Sequence, residues 1–266
     1  MRFSRYLLLY PSLVILWVFP PAARGDGLRN LPAEGMPLRI TSPGDPVNTP
    51  DVVRSRFNGT NGGINYVQML ENKEQPGDIS LVLLLHGRSG NGNDNTRQLT
   101  TPALKPLLNF VRSHAVKTVL LIPQCPDGRD WVRKENGVSP VSTVAELVRE
   151  KIRAFDVPPE RVYVTGISMG GSGVYTLLAR ENSLFSRAVL VSAGGRLSDA
   201  GKIKGDIAIF HGESDRIIPV ERARAMAEAL RRDSRATVRL SVLPAKGHTD
   251  TASAVYTDTL WRWLFR

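Results

Sequence analysis

Residues 161–171 read Arg161-Val-Tyr-Val-Thr-Gly-Ile-Ser-Met-Gly-Gly171, and their reading decides the fold. The β-branched and aromatic run 162–165 has the character of a short buried strand. Glycines flank a serine immediately after it, and residues 172–180 then carry apolar side chains at helical spacing. Strand, sharp turn and helix, with Gly166-Ile167-Ser168-Met169-Gly170 at the turn, form the context that a G-x-S-x-G nucleophile elbow requires. A side chain at either glycine would crowd the neighbouring strand or helix in so tight a turn. The turn also strains its central residue, which exposes the Ser168 hydroxyl.

Outward from this unit, strand and helix patterns alternate. Upstream, residues 79–85 (Ile-Ser-Leu-Val-Leu-Leu-Leu) are an almost unbroken apolar run, as expected of a strand covered on both faces. Residues 101–115 read as a helix, regular only after Pro102 and Pro106. Residues 118–123 read as a strand and 141–155 as an amphipathic helix ended before Pro158-Pro159. Downstream come strands at 188–192, 207–210 and 237–243, a helix at 220–232 and one closing helix over 251–265. Repeated strand–helix units predict an α/β fold: a mostly parallel central sheet with right-handed crossovers and helices on both faces. Residues 192–206 leave room for only a short helix, so no large cap domain is expected there. The catalytic domain is expected over 64–266, with an outer strand at 64–70. Residues 26–63, rich in Gly, Pro, Asn and Asp, read as a loose lead-in with a possible edge strand at 38–41.

The first 25 residues stand apart. Arg2 and Arg5 precede an apolar run from Tyr6 to Phe19, and Pro-Pro-Ala-Ala-Arg-Gly follows. That is the layout of a secretory signal peptide, cleaved after Gly25, and it predicts a secreted or periplasmic protein with no stable membrane insertion of the mature chain. The run is short for a membrane span and Pro11 interrupts it. The formal charge of +10 becomes +7 when Arg2, Arg5 and Arg24 leave with the leader. The remaining basic residues are dispersed, without a basic strip interleaved with aromatics, so nucleic acid is not an expected partner. Cys125 is the only cysteine of the 266 residues, so the exported chain has no internal disulfide and relies on its core.

In parallel α/β sheets, function collects at the carboxyl ends of the strands. Four candidate stretches fall there: His86-Gly87-Arg88-Ser89-Gly90, Ser168 itself, His211-Gly212-Glu213-Ser214-Asp215, and Lys246-Gly247-His248-Thr249-Asp250. The chain order Ser168, Asp215, His248 matches a serine nucleophile, an orienting carboxylate and a general base. A serine hydroxyl is a poor nucleophile until an imidazole accepts its proton, and that imidazole needs a carboxylate on its far nitrogen. Glu213 and Asp250 are alternatives to Asp215. Of the four histidines, His248 alone follows the last strand; His86 and His211 read as scaffold, and His114 as an exposed residue near a helix end. The backbone N–H groups of Met169 and Arg88 are the expected oxyanion donors. No pair of histidines or carboxylates shows metal-ligand spacing on one element, so neither metal nor cofactor is expected.

His-Gly-Arg-Ser-Gly-Asn-Gly at 86–92, Ile-Pro-Gln-Cys-Pro at 122–126 with Trp131 after it, and the stretch 161–173 together resemble the α/β-hydrolase superfamily. The resemblance points to its phospholipase/carboxylesterase and dienelactone-hydrolase-like branch, and within it to exported esterases and prolyl-oligopeptidase-like predicted peptidases. It implies Ser168, Asp215 and His248 as triad, with an oxyanion donor from the turn after His86-Gly87. Dienelactone hydrolase itself is expected to use a cysteine nucleophile; Ser168 stands at that position here, which favours esters. The expected activity is hydrolysis of short-chain or polysaccharide-linked acyl or feruloyl esters. A peptidase, amidase, lysophospholipase or thioesterase is the alternative, and a silent binding protein the remote one. The loop from Pro123 to Trp131 is expected to wall the substrate pocket, with Trp131 offering a flat apolar surface or else packing in the core. Arg88 either faces solvent or clamps an acidic group of the substrate.

Overall fold

Two uninterrupted apolar runs lie side by side in the middle of one eight-stranded sheet. The computed structural model describes residues 52–266; the leader and the strand candidate at 38–41 lie outside the described residues. In chain order the elements are β1 (Val52–Gly59), β2 (Gly62–Glu71), β3 (Ser80–Leu85), α1 (Leu104–Ser113), β4 (Thr118–Gln124), α2 (Pro140–Phe155), β5 (Val162–Ile167), α3 (Met169–Arg180), β6 (Arg187–Val191), β7 (Asp206–Gly212), α4 (Val220–Asp233), β8 (Thr237–Leu243), α5 (Asp250–Val255) and α6 (Asp258–Leu264). The sheet order is β1-β2-β4-β3-β5-β6-β7-β8. β3, β4 and β5 are buried at every position, as strands covered on both faces must be.

From β4 to β8 all neighbours pair in parallel. The register lines Leu85 up with Gly166, Gly166 with Leu190, Leu190 with Ile209 and Ile209 with Leu240. The carboxyl ends of β3, β5, β6, β7 and β8 therefore finish at one edge of the sheet, where the loops they feed can meet. Between β6 and β7 there is only a 3-10 turn, Leu197–Lys202, in keeping with the absence of a large cap there. Among the described residues no helix is long and apolar enough to cross a membrane.

Two expectations are corrected. The sheet reaches further toward the N-terminus than residue 64, because β1 and β2 form an antiparallel hairpin and β2 pairs antiparallel with β4. β1 has no fully buried position. An edge strand needs little apolar surface, and charges such as Arg54 and Arg56 discourage pairing with other chains, so its sequence carries a weak strand signal. The closing helix is also not continuous. It is split into α5 and α6 at Tyr256 (ψ 74°) and Thr257 (ψ 166°). The break turns Tyr256 into the core, where its ring stacks on Trp261 at 5.5 Å and its hydroxyl lies 3.2 Å from Thr165 Oγ1. Helical periodicity alone cannot register such a kink, since apolar residues continue on both sides of it.

Candidate active site

Ser168 sits between β5 and α3 with φ 54° and ψ −120°, a backbone conformation that non-glycine residues rarely adopt. Holding it there costs about 1–3 kcal/mol, which the surrounding contacts must offset. The Ser168 N–H donates to the Val191 carbonyl at 2.9 Å, and Ser172 N–H returns to the Ser168 carbonyl at 3.1 Å. The flanking glycines permit the turn to close. A Cβ on Gly166 would lie 2.6 Å from Gly170 backbone atoms, and one on Gly170 would collide with the Leu85 carbonyl at the end of β3.

His248 follows β8, and its Nε2 lies 2.8 Å from Ser168 Oγ. Its Nδ1 lies 2.7 Å from Asp215 Oδ2. A carboxylate can only accept, so Nδ1 carries the proton and Nε2 is left free to accept from the serine hydroxyl. The His248 carbonyl is held by Ser192 Oγ at 3.0 Å, across from the end of β6. Ser192 is fully buried and has φ 49°. Nothing in the local sequence distinguishes it, and sequence reasoning missed it.

Asp215 lies on the loop between β7 and α4 and is buried. Burial pushes its carboxyl up, but the Ile218 N–H, the His248 ring and the Ile217 N–H outweigh that, so the net shift is downward. Oδ1 accepts from Ile217 and Ile218 N–H at 2.9 Å each. His211 Nε2 donates to the Ile218 carbonyl at 2.8 Å and also lies 3.3 Å from Asp215 Oδ2. The Asp215 loop is thus clamped from below by a buried imidazole. The two alternative acids do not take this place: Glu213 is exposed, and Asp250 is exposed at the start of α5.

Met169 and Arg88 are the first residues of α3 and of a 3-10 turn, Arg88–Gly90. First-turn N–H groups have no acceptor within their own helix. Gly87 brings the second turn alongside the first, since a Cβ there would lie 3.7 Å from Ser168 Cβ. The Arg88 side chain is exposed. Trp131 is a correction: it is fully buried and offers no face to substrate. Its Nε1–H donates to the His86 carbonyl at 3.0 Å, a polar anchor inside the core that makes the buried position the stable one. His86 is buried too, and burial holds its imidazole down at about 4 despite a bond to the Gly87 carbonyl. Cys125 is buried, and its thiol is pushed up to about 12 by burial and by Asp130. It is packed rather than reactive. His114, expected to be exposed, is half-buried at the end of α1, where it stacks on Phe110 at 4.3 Å. Among the described residues, no group of three His, Cys, Asp or Glu could hold a metal ion.

Residues 130–254 match the model of the dienelactone hydrolase family. No curated protein matches the chain. Among solved structures, a thermostable esterase is 26% identical with a TM-score of 0.69, covering 81% of this chain and 62% of its own. This chain thus spans less than two thirds of that protein. Est1E from Butyrivibrio proteoclasticus is 14% identical (TM-score 0.59), covering 79% of this chain and 97% of its own. Pyrococcus horikoshii acylaminoacyl peptidase is 14% identical (TM-score 0.57), covering 80% of this chain and 40% of its own. The last two speak for the fold alone. The parallel sheet, the elbow at the end of β5 and the likeness to these structures give the chain an α/β-hydrolase fold, and residues 130–254 are similar to the dienelactone hydrolase family.

Proposed function

We propose that the chain is a serine hydrolase that cleaves carboxylic esters through an acyl-enzyme. The observation that carries this reading is the unbroken line from Ser168 Oγ to His248 Nε2 (2.8 Å) and from His248 Nδ1 to Asp215 Oδ2 (2.7 Å). In this mechanism Ser168 Oγ attacks the ester carbonyl carbon while His248 Nε2 takes the hydroxyl proton. Asp215 holds the ring in the productive tautomer and stabilises the imidazolium. The N–H groups of Met169 and Arg88 receive the developing oxyanion. His248 then returns the proton to the departing alcohol, and water, activated by the same nitrogen, releases the acid from Ser168.

Two exposed apolar side chains lie on the segments after β6 and β7: Leu197 opens the 3-10 turn Leu197–Lys202, and Ile217 follows Asp215 by two residues and donates its N–H to that carboxylate. They suit an ester with an apolar acyl or aryl part, such as a short-chain or feruloyl ester, free or carried on a polysaccharide. The leader-like residues 1–25 support action outside the cytoplasm. Peptide or amide cleavage is the second reading, since the same serine, histidine and carboxylate arrangement can attack an amide carbonyl.

The test is hydrolysis of p-nitrophenyl esters from acetate to decanoate by the chain from Asp26, with Ser168→Ala beside it. Activity confined to the wild type and greatest on short chains supports the ester reading. Ser168-dependent cleavage of peptide substrates without ester cleavage would replace it with the peptidase reading.

A further inference from the structure

Trp131 touches both halves of the machinery just described. Its indole N–H donates to the carbonyl of His86, which lies two residues before Arg88, at 3.0 Å. On its other side, a Cβ on Gly173 would come within 2.9 Å of Trp131 Cβ, so α3 lies directly against the same side chain. α3 is the helix that begins at Met169, immediately after Ser168. A fully buried side chain therefore fills the space between the nucleophile's helix and the turn that presents the Arg88 N–H.

His86 completes the brace. Its ring lies 5.0 Å from the indole, centroid to centroid. Its Nε2 accepts the Cys125 N–H at 3.0 Å, so the ring proton is on Nδ1, which donates to the Gly87 carbonyl at 2.6 Å. Further bonds tie the same turn to the loop after β4. Gly92 N–H donates to the Cys125 carbonyl at 3.1 Å, Gln124 Nε2 to the Gly90 carbonyl at 3.3 Å, and Asn91 Nδ2 to the Arg129 carbonyl at 2.6 Å. A side chain at Gly90 would run into the His86 ring. The donor turn is thus held against the loop after β4 by the Trp131 indole, by the His86 ring and by these further bonds.

We propose that Trp131 is a positioning residue for catalysis: through His86 it sets the separation between Ser168 and the Arg88 N–H that receives the oxyanion. This rests on the reading of Ser168 as nucleophile and of the Arg88 N–H as an oxyanion donor. An oxyanion donor works only within a few tenths of an ångström of its place, and it contributes in the transition state rather than in substrate binding. A tryptophan that merely filled the core would affect stability without separating kcat from KM.

The experiment compares wild type, Trp131→Phe and Gly90→Ala. The first variant keeps an aromatic ring and removes the indole N–H; the second presses directly on the His86 ring. Each is read by kcat and KM on p-nitrophenyl acetate, by the rate at which a fluorophosphonate labels Ser168, and by near-ultraviolet circular dichroism to establish folding. The expected result is a fall in kcat on the order of ten- to a hundredfold with KM within about threefold, matched by a similar fall in labelling rate. A folded Trp131→Phe with wild-type kcat and labelling rate would overturn the proposal. If Trp131→Phe does not fold, Gly90→Ala decides by the same criteria. Wild type that is folded but never labelled at Ser168 would instead remove the hydrolase reading itself, and this inference with it.

Discussion

The Nδ1–H of His248 donates to Oδ2 of Asp215 at 2.7 Å, and this bond selects the ring nitrogen that faces Ser168. With Asn at 215, the amide can present its NH2 group to the ring and favour the opposite tautomer, which would place a proton on Nε2. Asp215→Asn should therefore lower kcat on p-nitrophenyl acetate by about a thousand- to ten-thousandfold, with the fold and KM little changed. A loss of tenfold or less would mean that Asp215 does not orient the base.

His86 links the fold to pH. Its folded value, about 4, lies below the ordinary 6.5 because the ring is buried away from water. The unfolded chain binds this proton more readily, so His86 contributes its full stabilisation above pH 6.5 and loses it as the pH falls toward 4. The loss amounts to roughly 3 kcal/mol at most. Urea unfolding at pH 7 and at pH 4.5 should show a smaller difference between the two pH values in His86→Gln than in wild type. Equal differences would remove His86 from the acid sensitivity of the fold.

Gly170 and Gly87 both border Ser168 but differ in the room they have. A methyl group at 170 would meet the Leu85 carbonyl, which belongs to a central strand and cannot yield, whereas one at 87 would make ordinary contacts of 3.6–3.8 Å. Gly170→Ala should lose several kcal/mol or fail to fold, and Gly87→Ala should stay within about 1 kcal/mol of wild type. Thermal unfolding of the two variants checks the contrast.

Arg88 has an exposed side chain on the turn whose backbone is the proposed oxyanion donor. If its guanidinium clamps an acidic group on the substrate, Arg88→Ala should raise KM for acidic esters at least several-fold more than for neutral ones. Equal effects on both classes would leave it a solvent-facing residue.

Leu197 and Ile217 are 52% and 70% exposed. Leu197→Ser and Ile217→Ser should each raise KM for butyrate or aryl esters a few-fold relative to acetate, through lost apolar contact. The melting temperature should hold steady, because neither side chain is buried by the fold. A preference unchanged across the ester series would place the acyl group elsewhere.

The legible parts of the chain were those encoded by near neighbours. The apolar run of β3 announces a doubly covered strand, and Gly166-Ile167-Ser168-Met169-Gly170 announces a turn that only a strand followed by a helix can make. β1 was less visible, since an edge strand with Arg54 and Arg56 needs no apolar period. The break at Tyr256 is not visible there, because the apolar spacing runs on through it and the Thr165 hydroxyl that Tyr256 meets lies 91 positions away in the chain.

By itself, then, the amino-acid order determined the α/β architecture, the elbow and the short list of candidate residues, because periodicity and turn chemistry act over a few residues. The tertiary structure decided which of Asp215, Glu213 and Asp250 meets His248, and that Trp131 lies inside rather than at the pocket wall. Those outcomes depend on sheet register and loop packing, which join residues dozens of positions apart, as Ser168 and His248 are joined across a gap of 80.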